Sequence, residues 1–178
     1  GWRDPSVNAL IRRLQPGIVI NNRGLDPGDY GTPERDWDES VNTALAFSSP
    51  VEACQALGSQ SWGHRRHEDY HTEAHLLRSI AKIAGKGGHY LLNTGPRPDG
   101  TIEPRERRTL ARVGAWWRAA REAFDQVERV SHLIANRDVL LTRSNARTYY
   151  VILHKVSATR SVQLKPFVTA PVDAVELV

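Results

Sequence analysis

The stretch TEAHLLRSIAKIAGKGGHYLLNTGP, Thr72 to Pro96, decides how the chain is read. Thr72 offers a side-chain oxygen to the first turn of a helix. Leu76, Leu77, Ile80, Ile83 and Ala84 then recur every three or four residues, so one helical face is apolar. Gly87-Gly88 ends the helix. Tyr90-Leu91-Leu92 follows as a short buried strand, closed by Asn93-Thr94-Gly95-Pro96. An amphipathic helix feeding an apolar strand is part of a parallel βα repeat.

The same pattern extends outward. Asp4 caps a helix with Pro5 at its first position, and Val7, Leu10, Ile11 and Leu14 line its apolar face. Ile18-Val19-Ile20 is expected to be a buried strand ending in Asn21-Asn22-Arg23-Gly24. Residues 24–50 form a long loop with some short structure, and a loop of that length in a compact domain is usually functional. Val51 to Leu57 is the next strand, and residues 58–71 are a second polar loop. Downstream, Pro104 opens a helix with Leu110, Val113, Trp117, Ala120 and Phe124 on one face. Arg105, Arg108, Arg112 and Arg118 are expected on its solvated side. From about Val130 the period changes. Val139 to Thr142, Thr148 to Leu153 and Val162 to Leu164 read as strands of an all-β module.

The fold class is therefore α/β. The polar loops follow the C-terminal ends of strands, where βα-barrels and open parallel sheets hold their sites. A complete eight-stranded barrel takes about 250 residues, so a barrel would be present here only as its second half. The expected division is residues 1–127 for the half barrel and 128–178 for a β module.

Composition narrows the classes. The 178 residues are 40% hydrophobic and 25% charged, with mean hydropathy −0.48, an ordinary globular balance. No apolar run reaches the roughly 18 residues of a membrane helix, and no signal segment is visible. The chain starts at Gly1 and has no Met, so it is expected to be a piece of a longer protein. Cys54 is the single cysteine, which excludes an intrachain disulfide and a cysteine zinc site; it reads as a small buried hydrophobe. The net charge of +4 and pI of about 9.5 permit an anionic partner without requiring one. The arginines are not interleaved with aromatics, so no nucleic-acid partner is expected.

Three constellations could carry chemistry. Asn21-Asn22-Arg23 at a strand end can aim a guanidinium fork and an amide at a hydroxyl-rich or anionic ligand, or can serve only the turn. Glu52 lies in an apolar run upstream of Trp62. Such a carboxyl suits a glycosidase acid, whose pKa must be raised, but also suits a strand-end ion pair with Arg65 or Arg66. His67, His71 and His75 have helical spacing, but the cap at Thr72 places His67 and His71 outside the helix, so no metal site is expected.

Five ordered blocks resemble the α-L-fucosidases of glycoside hydrolase family 29. They are Ile18 to Arg23, Gly28-Asp29-Tyr30-Gly31-Thr32-Pro33-Glu34, Val51-Glu52-Ala53-Cys54 with Ser61-Trp62-Gly63, Lys86 to Pro96, and Asp99-Gly100-Thr101-Ile102. The resemblance covers roughly residues 1 to 125, and the remainder resembles the start of that family's C-terminal β-sandwich. It implies a βα-barrel, a retaining exo-hydrolase releasing L-fucose from glycan or glycoconjugate ends, and no cofactor. It implies a secreted, periplasmic or lysosomal setting.

Residue by residue, Glu52 falls on a general acid/base proposed in part of the family, with Glu34 as the second choice. Arg23 falls on an arginine near the sugar, and Trp62 and His64 fall near the sugar subsite. Two departures stand out: Gly24-Leu25 follows Arg23 where the family has a Trp, and His64 replaces a Tyr. Gly1-Trp2 resembles the tail of the nucleophile motif, so the nucleophilic Asp is expected before Gly1 and the chain alone is expected to be inactive. The alternative is a non-catalytic, fucose-binding or degenerate barrel fragment.

Overall fold

A computed structural model describes residues 4, 6–24, 28–35, 43–155 and 172–176. Gly1-Trp2, Pro5 and the expected strand at 162–164 lie outside the described residues.

Helix α1, Ser6–Leu14, starts where Asp4 Oδ1 accepts the Ser6 N–H at 2.9 Å. The Ser6 side chain, and after it this backbone hydrogen bond, hold the Asp4 carboxyl below its ordinary range. The apolar face read from the sequence buries no residue fully: Val7 and Ile11 are partly covered, while Leu10 and Leu14 are exposed, Leu14 at 75%. Arg12 anchors the helix instead, donating to both oxygens of Asp29 at 2.9 and 3.0 Å. Asp29 also accepts the Ile20 N–H at 2.8 Å, so one carboxylate ties α1 to the following extended segment.

The expected buried strand at Ile18–Ile20 is corrected. Only Asn21 makes a bridge, in parallel with Tyr30, and Val19 is 65% exposed. Among the described residues the run has one bridge partner, on one side.

The surprise lies in the 24–50 loop. Residues 30–34 are extended and, with the N–H of Arg35, form a parallel ladder with the start of the next strand. Gly31 N donates to Pro50 O at 3.0 Å, Glu52 N to Gly31 O at 2.9 Å, Cys54 N to Pro33 O at 2.9 Å and Arg35 N to Cys54 O at 2.8 Å. Pro33 is tolerated because the ladder asks it only to accept. Strand β1, Glu52–Ala56, pairs in parallel with β2, His89–Asn93, from Glu52↔His89 to Ala56↔Asn93. Four extended segments thus lie side by side in chain order, which is how successive βα units build a parallel layer.

Helix α2, Glu73–Gly85, connects β1 to β2. Thr72 Oγ1 accepts the His75 N–H at 3.2 Å, the cap read from the sequence. Leu76 and Ile83 are essentially fully buried, each worth about 1.5–3 kcal/mol in apolar burial. The helix buries two faces. Ile83 packs with Ala53, Phe47 and Tyr90 against the parallel layer. Ala81 and Ala84 pack with Phe124, Leu140 and Ile152 on the other side. Gly85 permits that approach, since a Cβ there would lie 3.0 Å from the side chains of Leu140 and Ile152.

Helix α3, Pro104–Ala120, brings Trp116 and Trp117 to the same core. Trp117 stacks on Phe124 at 5.3 Å with 11° between planes. A small antiparallel sheet follows, ordered β3 (Glu128–Arg129), β4 (Leu140–Arg143), β5 (Tyr149–Ile152). Helices and antiparallel sheet therefore share one apolar core. No helix among the described residues is long and apolar enough to cross a membrane.

Candidate active site

Because the extended segments run parallel, their C-terminal ends share one edge, and every following loop starts there. Arg23 follows the first segment and Glu34-Arg35 close the second. Residues 58–71 follow β1, and residues 94–103 follow β2. These loops build one continuous arc of side chains.

The arc begins at Arg23 and Glu34. Arg23 Nη1 pairs with Glu34 Oε1. Its Nε donates to Thr32 Oγ1 at 3.0 Å, and Thr32 in turn donates its N–H and hydroxyl to Asn22 Oδ1 at 3.0 and 2.7 Å. Asn21 serves the turn, accepting the Arg23 N–H at 3.1 Å. Both members of the ion pair are more than 40% exposed, so the pair contributes at most about 1 kcal/mol to stability. Its effect is to hold a guanidinium fork and a carboxylate together at the open edge.

Arg35 continues the arc. Its backbone is left-handed, φ 55°, an uncommon state for a branched-free but bulky side chain. The guanidinium donates to Ser59 O at 2.6 Å and lies 4.6 Å from the centre of the Trp62 ring. Trp62 remains 38% exposed. The loop bearing it is tied at its neck: Ser59 N donates to Asp69 O at 2.7 Å and His71 N to Leu57 O at 3.0 Å. Glu68 Oε1 accepts the Gln60 N–H at 3.0 Å.

The arc ends on a group that sequence reading missed. His64 Nε2 lies 3.3 Å from Glu103 Oε1. Arg97 grips the same carboxylate with Nε at 2.6 Å from Oε1 and Nη2 at 2.7 Å from Oε2. The Arg97 hydrogen bond, followed by that of His64, holds the Glu103 carboxyl below its ordinary range. The backbones also touch here. A Cβ on Gly95 would fall 2.6 Å from Gly63 C and His64 N, so only glycine lets the two loops meet. His64 and Glu103 are 39 residues apart, and no local pattern announces the pair.

Glu52 lies elsewhere. It is the first residue of β1, level with His89. Glu34 is level with Cys54, two residues or about 7 Å nearer the C-terminal edge. Among the described residues the Glu52 carboxylate forms no ion pair or hydrogen bond. The strand-end ion pair with Arg65 is not formed: Arg65 donates to Gln60 Oε1 at 2.5 Å and approaches Glu68 at 4.0 Å. Cys54 is half-buried and accepts a hydrogen bond from Asn93 Nδ2 at 3.2 Å. His71 and His75 stack at 4.3 Å, and the described residues hold no cluster of three His, Cys, Asp or Glu side chains arranged for a metal.

A sequence profile described as Alpha-L-fucosidase matches residues 1–122. The plasma alpha-L-fucosidase of Homo sapiens is 35% identical over 162 residues, covering 67% of this chain and 34% of that protein. The tissue alpha-L-fucosidase of Bos taurus is 30% identical over 106 residues, covering 58% and 23%. Among solved structures, alpha-L-fucosidase isoenzyme 1 from Paenibacillus thiaminolyticus superposes with a TM-score of 0.64 at 27% identity, covering 78% of this chain and 35% of that one. The Thermotoga maritima alpha-fucosidase, at 23% identity and a TM-score of 0.62, covers 82% and 34% and shares the fold. The chain spans about a quarter to a third of the length of these curated relatives.

Proposed function

Because the chain belongs to the α-L-fucosidase family, we propose that it supplies one side of a fucoside-cleaving site in a retaining exo-hydrolase that releases L-fucose from glycan or glycoconjugate ends. The observation that carries this reading is the arc from Arg23 through Glu34, Arg35, Trp62 and His64 to Glu103 at one edge of the parallel layer. A sugar offers a hydroxyl-rich rim and a C–H face. Guanidinium, carboxylate and imidazole groups serve the rim, and an exposed indole serves the face.

On this reading residues 1–127 are the second half of a βα-barrel and residues 128–178 begin a β-sandwich.

A retaining glycosidase uses two carboxyls about 5–5.5 Å apart, one as nucleophile and one as acid then base. We assign the acid/base role to Glu34 ahead of Glu52. Glu34 is at the loop-bearing edge beside Arg23, whereas Glu52 opens its strand away from that edge. Glu34 would protonate the departing glycosidic oxygen, then take a proton from the water that attacks the fucosyl intermediate. Arg23 would orient the sugar and the carboxylate through its fork. The nucleophile is not assigned to any described residue.

Calorimetric titration tests the reading. Methyl α-L-fucoside is expected to bind in preference to methyl α-D-mannoside, and Arg23→Ala and Trp62→Ala are each expected to weaken it about tenfold, the scale of one charged or aromatic contact. Equal binding of the two glycosides, or binding indifferent to both substitutions, would contradict it.

A further inference from the structure

We propose that Glu103, clamped by Arg97, is a positioning residue that fixes His64 as its Nε2–H tautomer and so presents Nδ1 as a hydrogen-bond acceptor for a substrate hydroxyl. The tautomer of the imidazole does not depend on function, while the identity of its ligand rests on the carbohydrate reading above.

Three steps lead there. Arg97 meets Glu103 as a two-pronged fork, Nε to Oε1 at 2.6 Å and Nη2 to Oε2 at 2.7 Å. A carboxylate held this way is ionised and can only accept. The imidazole nitrogen facing it, His64 Nε2 at 3.3 Å, must therefore be the donor. In the neutral ring that leaves the lone pair on Nδ1. Nδ1 takes no protein partner among the described residues, and the side chain is partly exposed.

The backbone supports the same placement. His64 follows Gly63, which presses on Gly95 so closely that a Cβ there would lie 2.6 Å from both Gly63 C and His64 N. The loop that carries the imidazole and the loop that leads to Arg97 and Glu103 are thus held together at the backbone as well as through the side chains. Two residues before His64, Trp62 presents a partly exposed ring. An aromatic plate beside a hydroxyl acceptor suits one sugar ring, the plate against C–H bonds and Nδ1 against an O–H.

The test uses the chain with its histidines labelled with ¹⁵N. At a pH where His64 is neutral, its long-range ¹H–¹⁵N spectrum is expected to show the Nε2–H tautomer. Glu103→Gln turns the acceptor toward Arg97 and offers an amide N–H to the ring, so the Nδ1–H form is expected to become the major tautomer. Arg97→Lys removes the fork while keeping the charge, and is expected to give a mixture. Melting curves identify any variant that fails to fold, and Glu103→Asp replaces it with the same expected loss of a single tautomer. An unchanged Nε2–H tautomer in every folded variant overturns the proposal. Methyl α-L-fucoside is then added to the wild-type chain, with an upfield shift of the His64 Nδ1 resonance expected. Shifts at Trp62 and Arg23 without one at His64 overturn the ligand half of the proposal alone. No shift anywhere refutes the carbohydrate reading and leaves the tautomer result to be judged by the variants.

Discussion

Glu34 lies two residues farther along the parallel ladder than Glu52, level with Cys54 and beside Arg23 at the edge where the loops begin. The two carboxylates therefore occupy different depths of the same layer. Register puts Glu34 with the arc of polar and aromatic groups and Glu52 at the start of its strand.

A cationic iminosugar of the L-fuco configuration separates the two. Its ammonium occupies the position where a fucosyl cation develops charge, so it gains from a nearby carboxylate. Glu34→Gln is expected to weaken its binding by at least tenfold, about 1.4 kcal/mol or more, while leaving methyl α-L-fucoside binding within threefold. Glu52→Gln is expected to change both by less than threefold. The reverse pattern would move the acid/base role to Glu52.

Gly95 is expected to be the least replaceable glycine of the arc. Gly95→Ala drives a methyl group to 2.6 Å from the backbone of Gly63 and His64, where neither atom can swing aside. A loss of about 1–3 kcal/mol is expected in urea unfolding, together with weaker fucoside binding. Gly100 is the control. Unlike Gly95 it has a positive φ, 82°, but nothing lies within 4 Å of a Cβ there, so Gly100→Ala carries only the backbone cost of about 1–2 kcal/mol and spares the site.

The junction between α2 and the antiparallel sheet is expected to make stability fall in mild acid. His154 is 8% exposed, and burial first, then the positive charges of Lys86, Lys155 and Lys82, push its pKa down to about 4; Asp138 opposes them. The unfolded chain, with an ordinary value of 6.5, binds the proton more readily. The contribution of neutral His154 is thus complete above pH 6.5 and is lost as pH falls to about 4, with a limit of about 3 kcal/mol. Lys86 acts in another window. Burial, with help from Lys82 and Lys155, lowers it to about 8 from 10.5, so its contribution is complete above 10.5 and lost as pH falls to 8. Urea midpoints compared at pH 7 and pH 5 are expected to drop in the native chain and to drop less in His154→Phe. A slope unchanged by that substitution would remove His154 as the cause.

Much of the fold is legible where local signals and packing agree. The Thr72 cap, the apolar face of α2 and the place of the strand at Tyr90–Leu92 appear as read, because helix period, cap and glycine stop all point the same way; the strand's expected burial does not, since Leu91 is 45% exposed. The ladder at residues 30–35 is not legible. Gly31 and Pro33 look like loop chemistry, and their strand character comes wholly from hydrogen bonds to Pro50, Glu52 and Cys54. Ile18–Ile20 fails in the opposite direction: a β-branched run forms only one bridge, since pairing depends on neighbours and not on the run itself. In the site, Arg23 is legible at a strand end and Trp62 in the loop after the Glu52 run, whereas Glu34 and His64 stand out only through the family resemblance. Glu103 was hidden because its meaning comes from a partner 39 residues away, and locally it is merely the residue before the proline that opens α3.

The most direct measurement is a backbone and side-chain shift map of the labelled chain titrated with methyl α-L-fucoside. The account predicts that perturbations concentrate on Arg23, Glu34, Arg35, Trp62 and His64, at the C-terminal edge of the parallel layer. Perturbations centred instead on Glu52 and His89, or on the α2–β5 junction, would contradict it.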